Sequence, residues 1–238
     1  MSSKLLYSNE YRINDKISIV IPKLEDILKD EDNYYEAISL IVSTPSDMMV
    51  PLDDKGIDFT KISDWDLFCL SYNGLKGKDV GLIFKGLDFK EFELAVNKTN
   101  NEVVLWNKRD DIVIDRSIHE KICRFLRTML CLEKNVRRPA NEEAKKYIIS
   151  KARKKLNRAM KKKPNPLELS QLEKLIIALV NSAEFSYDYE SVKNISIYQF
   201  NLSLLQVVKR VKYDKLMIGC YAGTVNMQEI DKNELTWI

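Results

Sequence analysis

His119 is the single histidine of the sequence, and so the one imidazole able to act as a general base near neutral pH. It lies beside apolar positions of an amphipathic stretch. Its neighbours Asp115 and Glu120 do not form a triad on spacing alone, so a structural histidine is expected. The four cysteines, Cys69, Cys123, Cys131 and Cys220, have no CxxC spacing. With one histidine beside them they argue against a zinc site and a disulfide framework, and point to buried, reduced thiols. Asp53, Asp54 and Asp58 gather around Gly56. They do not match the D-x-[DN]-x-[DN]-G calcium loop, and no glutamate occupies its twelfth position. Asp110, Asp111 and Asp115 border a short β-prone run and could hold a divalent ion, but no E-x-K pattern follows. The loop Gly74-Leu75-Lys76-Gly77-Lys78-Asp79 lacks the four-residue gap and GK[ST] ending of a phosphate-binding loop. No catalytic centre, cofactor or metal site is therefore expected.

The sequence spends its charge elsewhere. Residues 136–163 hold twelve cations against two anions, net +10, whereas residues 1–135 carry −5 and residues 164–238 carry −2, giving the overall +3. This block reads as one helix. Asn141 is placed to cap it, Glu142 and Glu143 favour its positive end, and the lysine run favours its negative end. Ala144, Ile148, Ala152, Leu156 and Met160 form a thin apolar stripe, so the helix is expected to protrude or dock lightly. Its exposed cations Lys145, Lys151, Arg153, Lys154, Lys155 and Arg158 are the candidate contacts for an acidic protein partner. Nucleic acid is the alternative, weakened by the lack of interleaved aromatics after Tyr147.

The elements that would position these residues divide the chain in two. Leu5–Ile13 and Ile17–Ile21 suggest a hairpin about Asn14-Asp15-Lys16. Helices are expected after Pro22, over Asn33–Val42, and after Ser63, with a loop at Met48-Met49-Val50. Leu82–Phe84, Phe92–Val96, Val103–Trp106 and Ile112–Ile114 read as a meander able to extend the hairpin into one sheet. Asp115 should cap an amphipathic helix running to Leu132. Beyond the basic block, Leu167–Asn181, Ile197–Val211 and Tyr213–Tyr221 read as three helices, the second apolar nearly all round and so the centre of a bundle, with Trp237 as a closing plug. The expected class is α+β: a mixed domain with a small antiparallel sheet over 1–138, a basic linker helix over 139–166 and an all-helical bundle domain over 167–238. Tyr187, Asp188, Tyr189 and Glu190 form an acidic aromatic patch. The N-terminus has no apolar h-region and no apolar run reaches about 18 residues, so a cytosolic protein is expected.

The segments Ile195-Ser196-Ile197-Tyr198-Gln199-Phe200, Val208–Asp214, Leu216–Gly223 and the closing Leu235-Thr236-Trp237-Ile238 carry a resemblance. They resemble small proteins of tailed phages and prophages of Gram-positive bacteria described as tail assembly chaperones, over roughly the last hundred residues. The resemblance implies a non-enzymatic protein of the host cell cytoplasm that binds the long helical tape-measure protein until the tail tube forms around it. It adds Tyr198 and Phe200 to the candidate partner contacts. The alternative is a nucleic-acid-binding protein of a phage or mobile element using residues 144–163. A metal-dependent enzyme built on the acidic N-terminal half is the third reading.

Overall fold

The computed structural model describes residues 5–98, 101–161, 168–231 and 236. The chain opens with the expected hairpin, β1 (Glu10–Arg12) paired antiparallel with β2 (Ser18–Val20). Its turn is fixed locally, because the Asn14 side-chain oxygen accepts from the backbone N–H groups of Lys16 and Ile17 at 2.9 and 2.8 Å. The other edge of β2 is taken by residues 83–85, with Val20 donating to Ile83 and Lys85 to Ser18. Ile17, Ile19 and Ile21 alternate onto one face of this strand, and all three are buried in the core. The expected third run, Leu82–Phe84, contributes a single bridge from Phe84 to Ile19. Gly86, at φ 75°, then turns the chain away. The meander β3 (Phe92–Val96), β4 (Val103–Asn107) and β5 (Ile112–Ile114) consequently forms its own three-stranded sheet, and the single sheet expected from the sequence is two.

Helices α1 (Leu24–Leu28), α2 (Glu31–Val42), α3 (Met49–Asp54), α4 (Asp64–Ser71) and α5 (Arg116–Met129) complete the first half. Side chains set the starts of three of them. Asp30 caps α2, Ser63 and Asp66 form a capping box on α4, and the Asp115 carboxylate accepts from Ile118 N–H at 2.7 Å on α5. Met48–Val50, expected as a loop, leads into α3, which buries Met49, Val50 and Leu52. The core lies between α2, α5 and the sheets. Phe84, Phe89 and Phe92 form a ring series there, and Tyr11 stacks on Phe125 with centroids 4.2 Å apart.

Beyond it run α6 (Glu142–Met160), α7 (Gln171–Val180) and α8 (Ile197–Tyr221). Asn141 caps α6 as expected, and the capping boxes Ser170/Glu173 and Ser196/Gln199 start α7 and α8. The two helices expected over Ile197–Val211 and Tyr213–Tyr221 are one, because neither Gly nor Pro interrupts Lys212–Tyr213. Nor is α8 the centre of a bundle. Only its first turn, with Ile197, Tyr198 and Phe200, is buried. Those residues, together with Leu172, Ile176, Leu179, Phe185, Val192 and Ile195, share one hydrophobic core with the N-terminal half.

Hydrogen bonds also cross the join. Leu24 N–H donates to Ile195 C=O, Ile197 N–H to Pro22 C=O, the Gln199 amide to Leu6 C=O, and Leu172 N–H to the Glu31 carboxylate. The architecture is thus α+β, with small antiparallel sheets and helices first and helices last. Among the described residues no helix is long and apolar enough to cross a membrane. Trp237, Lys162 and Lys163 lie outside the described residues.

Candidate partner-binding surfaces

The basic helix is held at one end and bare at the other. Ile149 is buried and Ile148 and Ala152 are packed in a small cluster with Met49, Val50, Leu52, Phe59 and Leu67. The platform beneath is α3, whose six residues span roughly 9 Å, against roughly 28 Å for the nineteen of α6. Leu156 and Met160, expected on the docked stripe, run past its end and are exposed. The acidic residues around Gly56, which do not match a calcium loop, are counter-ions of this helix. Arg153 reaches Asp54 at 2.6 Å and Asp53 at 2.8 Å, and Lys145 reaches Asp58 at 3.1 Å and Glu142 at 2.7 Å. Hydrogen bonds from Thr60, then Lys145, lower Asp58 to about 2.

The candidate cations therefore separate. Lys145 and Arg153 are engaged within the chain, whereas Lys151, Lys154, Lys155 and Arg158 are exposed and make no ion pair among the described residues. At 100° per residue, Tyr147, Lys151, Lys154 and Arg158 share the face turned away from α3. Tyr198 and Phe200, expected to meet a partner, are buried in the core and offer it no surface; their spacing on an apolar helix did not distinguish the two fates.

Sequence reasoning missed the outer half of α8. Leu205, Val208, Ile218 and Tyr221 are exposed there, Tyr221 at 84%, and Met227 follows just beyond the helix. Near its base, α8 borders a cleft of about 780 Å³ lined by Arg116, Arg124, Arg127, Lys134, Leu132 and Leu205. The cations of that cleft are mostly answered: Arg124 by Glu120 at 2.9 Å and Lys134 by Asp64 at 2.7 Å, while Arg127 donates to Val42 C=O. The signal for this surface was the apolar excess of the helix, which was assigned to burial.

A geometry with the look of a catalytic pair lines that cleft. Cys123 Sγ is 3.3 Å from His119 Nε2, and both contact Ile41 C=O, at 3.3 and 3.1 Å. The electrostatics oppose thiolate formation. Burial lowers His119 to about 4 and raises Cys123 to about 12, so both are neutral where a nucleophile would need charge separation. His119 is stacked on Phe68 and tilted against Trp65, the packing of a core side chain. Of the other thiols, Cys69, Cys131 and Cys220 are free and half-buried, so the expectation of four buried thiols holds for Cys123 alone. Asp110 and Asp111 are held below the usual carboxylate range, chiefly by hydrogen bonds from Arg109 and Lys16 respectively, and Asp115 is spent on its helix cap. Among the described residues no three His, Cys, Asp or Glu side chains are grouped to hold a metal ion. Tyr187 and Tyr189 are exposed, as the acidic aromatic patch required.

A family model described as the YomV second domain matches residues 161–238, the last third of the chain, from the end of α6 onward. It is a phage-type domain, so the region holding α7 and α8 is phage-related. No curated protein and no solved structure matches the chain.

Proposed function

We propose that this phage-related protein is a non-enzymatic assembly factor, a tail assembly chaperone that binds the helical tape-measure protein in the host cytoplasm during tail morphogenesis. The observation carrying the reading is the outer half of α8, a helix that leaves Leu205 and Val208 in water on one side and Ile218 and Tyr221 in water on another. Exposed apolar side chains along one helix are the usual means of holding an amphipathic helical client. The base of α8 is fixed in the core, so the surface is presented without reorganising the fold. The test is co-expression with the tape-measure protein and affinity capture in the presence of nuclease. The client should be recovered in soluble form with the wild-type chain and lost with Val208→Asp/Ile218→Asp, both at exposed positions. Recovery unaffected by that variant rejects the reading.

A second reading is favoured by one observation, the outward cations of α6. Lys151, Lys154, Lys155 and Arg158 could track phosphates, and four contacts imply a slope of log K against log salt near −3.6 for duplex DNA. A slope near zero, or binding unchanged by Lys154→Glu/Arg158→Glu, rejects nucleic acid as the ligand of this face.

A further inference from the structure

The exposed part of α8 is apolar and cationic at once. From Leu205 one face runs through Val208, Lys209, Lys212 and Lys215 to the half-buried Leu216. Lys209 and Lys215 are exposed and make no ion pair among the described residues. The anion of this stretch, Asp214, lies on another side of the helix and is held by Arg210 at 3.1 Å. A partner on this face must therefore supply two things: an apolar stripe for Leu205 and Val208, and carboxylates for the lysines beside them.

From this charge pattern we infer that α8 receives an acidic amphipathic helix of another protein, with carboxylates flanking its apolar stripe. The inference rests on the helical-client reading above and specifies the chemistry of the client. A partner spanning Leu205 to Leu216 would lie along about 17 Å of α8. At the base, Leu205 also lines the cleft against α5, where the exposed Leu132 extends the apolar contact and Arg124 stands at the rim. A second copy of this chain is a poor occupant. In a parallel pair Lys209 meets Lys209 and Lys215 meets Lys215; in an antiparallel pair crossing at Lys212, Lys209 meets Lys215. Both arrangements oppose like charges across a desolvated contact, which suppresses the pairing.

The test uses the full chain and two labelled model helices of about three heptads, with leucine at the a and d positions and either glutamate or lysine at e and g. Fluorescence anisotropy at low salt should show the glutamate helix binding at least tenfold more tightly than the lysine helix. The variant Lys209→Glu/Lys215→Glu should reverse that preference, and Val208→Asp should abolish binding of both. All three positions are exposed, and circular dichroism is the check that the variants keep the helical content of the wild type. Equal binding of the two helices overturns the acidic-partner inference and leaves the helical-client reading standing. Binding of neither overturns both. A Val208-dependent dimer in sedimentation makes the occupant a second copy, and Val208-dependent binding to phosphatidylglycerol vesicles with no peptide binding makes it a lipid surface; each of these results also overturns the inference.

Discussion

Replacing Phe200 by alanine should unfold the two halves of the chain together. Phe200 is fully buried, and the core it enters is made mostly by residues from the first 130 positions. Truncating a buried phenylalanine costs about 3–5 kcal/mol in transfer and cavity terms. Against a typical stability of about 5–15 kcal/mol this is a large fraction. At about 2–4 °C per kcal/mol for a chain of this size, the melting midpoint should fall by roughly 6–20 °C. The assay is denaturation followed by tryptophan fluorescence, with Trp237→Phe as the background so that Trp65 and Trp106 report alone. Trp65 is buried on α4 and Trp106 lies on β4, both distant in sequence from the substitution. The control is Val208→Ala at an exposed position on the same helix, expected within about 0.5 kcal/mol of wild type. If the Trp65 and Trp106 transition keeps its midpoint in Phe200→Ala while helical signal melts earlier, the C-terminal helices form a separate unit and the shared-core argument fails.

Four further outcomes follow from the same structure. His119 titrates near 4 when folded and near 6.5 when unfolded, so the unfolded chain binds the extra proton first. Stability should fall by roughly 3 kcal/mol as pH drops from about 6.5 to about 4, and urea melts of His119→Gln should lose most of that dependence. The Tyr34 hydroxyl is buried without a hydrogen-bond partner among the described residues, so Tyr34→Phe should leave the melting midpoint unchanged or raise stability by about 1 kcal/mol. Ile149→Asp should release α6 from α3, speeding hydrogen exchange across 142–160 while the amides of α5 keep their protection. Arg153→Met, which removes only half-exposed ion pairs, should change that exchange by less than the equivalent of about 1 kcal/mol.

What could be read from the sequence was what is decided locally. Ser63, Asp115, Asn141 and Ser196 each cap the helix expected to follow, because a cap needs only a short polar side chain and the next three residues. The meander strands lie where β-branched runs alternate with polar turns. Long-range placement was not legible. Asp53, Asp54 and Asp58 lie some ninety positions before the cations they answer, and no local pattern pairs them with Lys145 and Arg153. The six-residue α3 is too short to show a period. An apolar helix such as α8 is consistent with a bundle centre and with an unpartnered face, since both want the same residue types. Tyr198 and Phe200 were assigned outward and Leu205 and Val208 inward for that reason, and the structure reverses them.

The main-chain pairing of residues 22–24 with 195–197 bears on how the protein is made. Ribosomes deliver the N-terminal sheets and α1–α5 long before the segment that completes their core. Until Ile197 and Phe200 emerge, the pocket they fill stands open and the backbone edge at Pro22 and Leu24 has no mate. Nascent chains thus pass most of synthesis as an incomplete core, open to proteases and to folding factors. A chain halted before residue 195 would lack Ile197 and Phe200, so the first turn of α8 is what closes a core begun more than a hundred residues earlier.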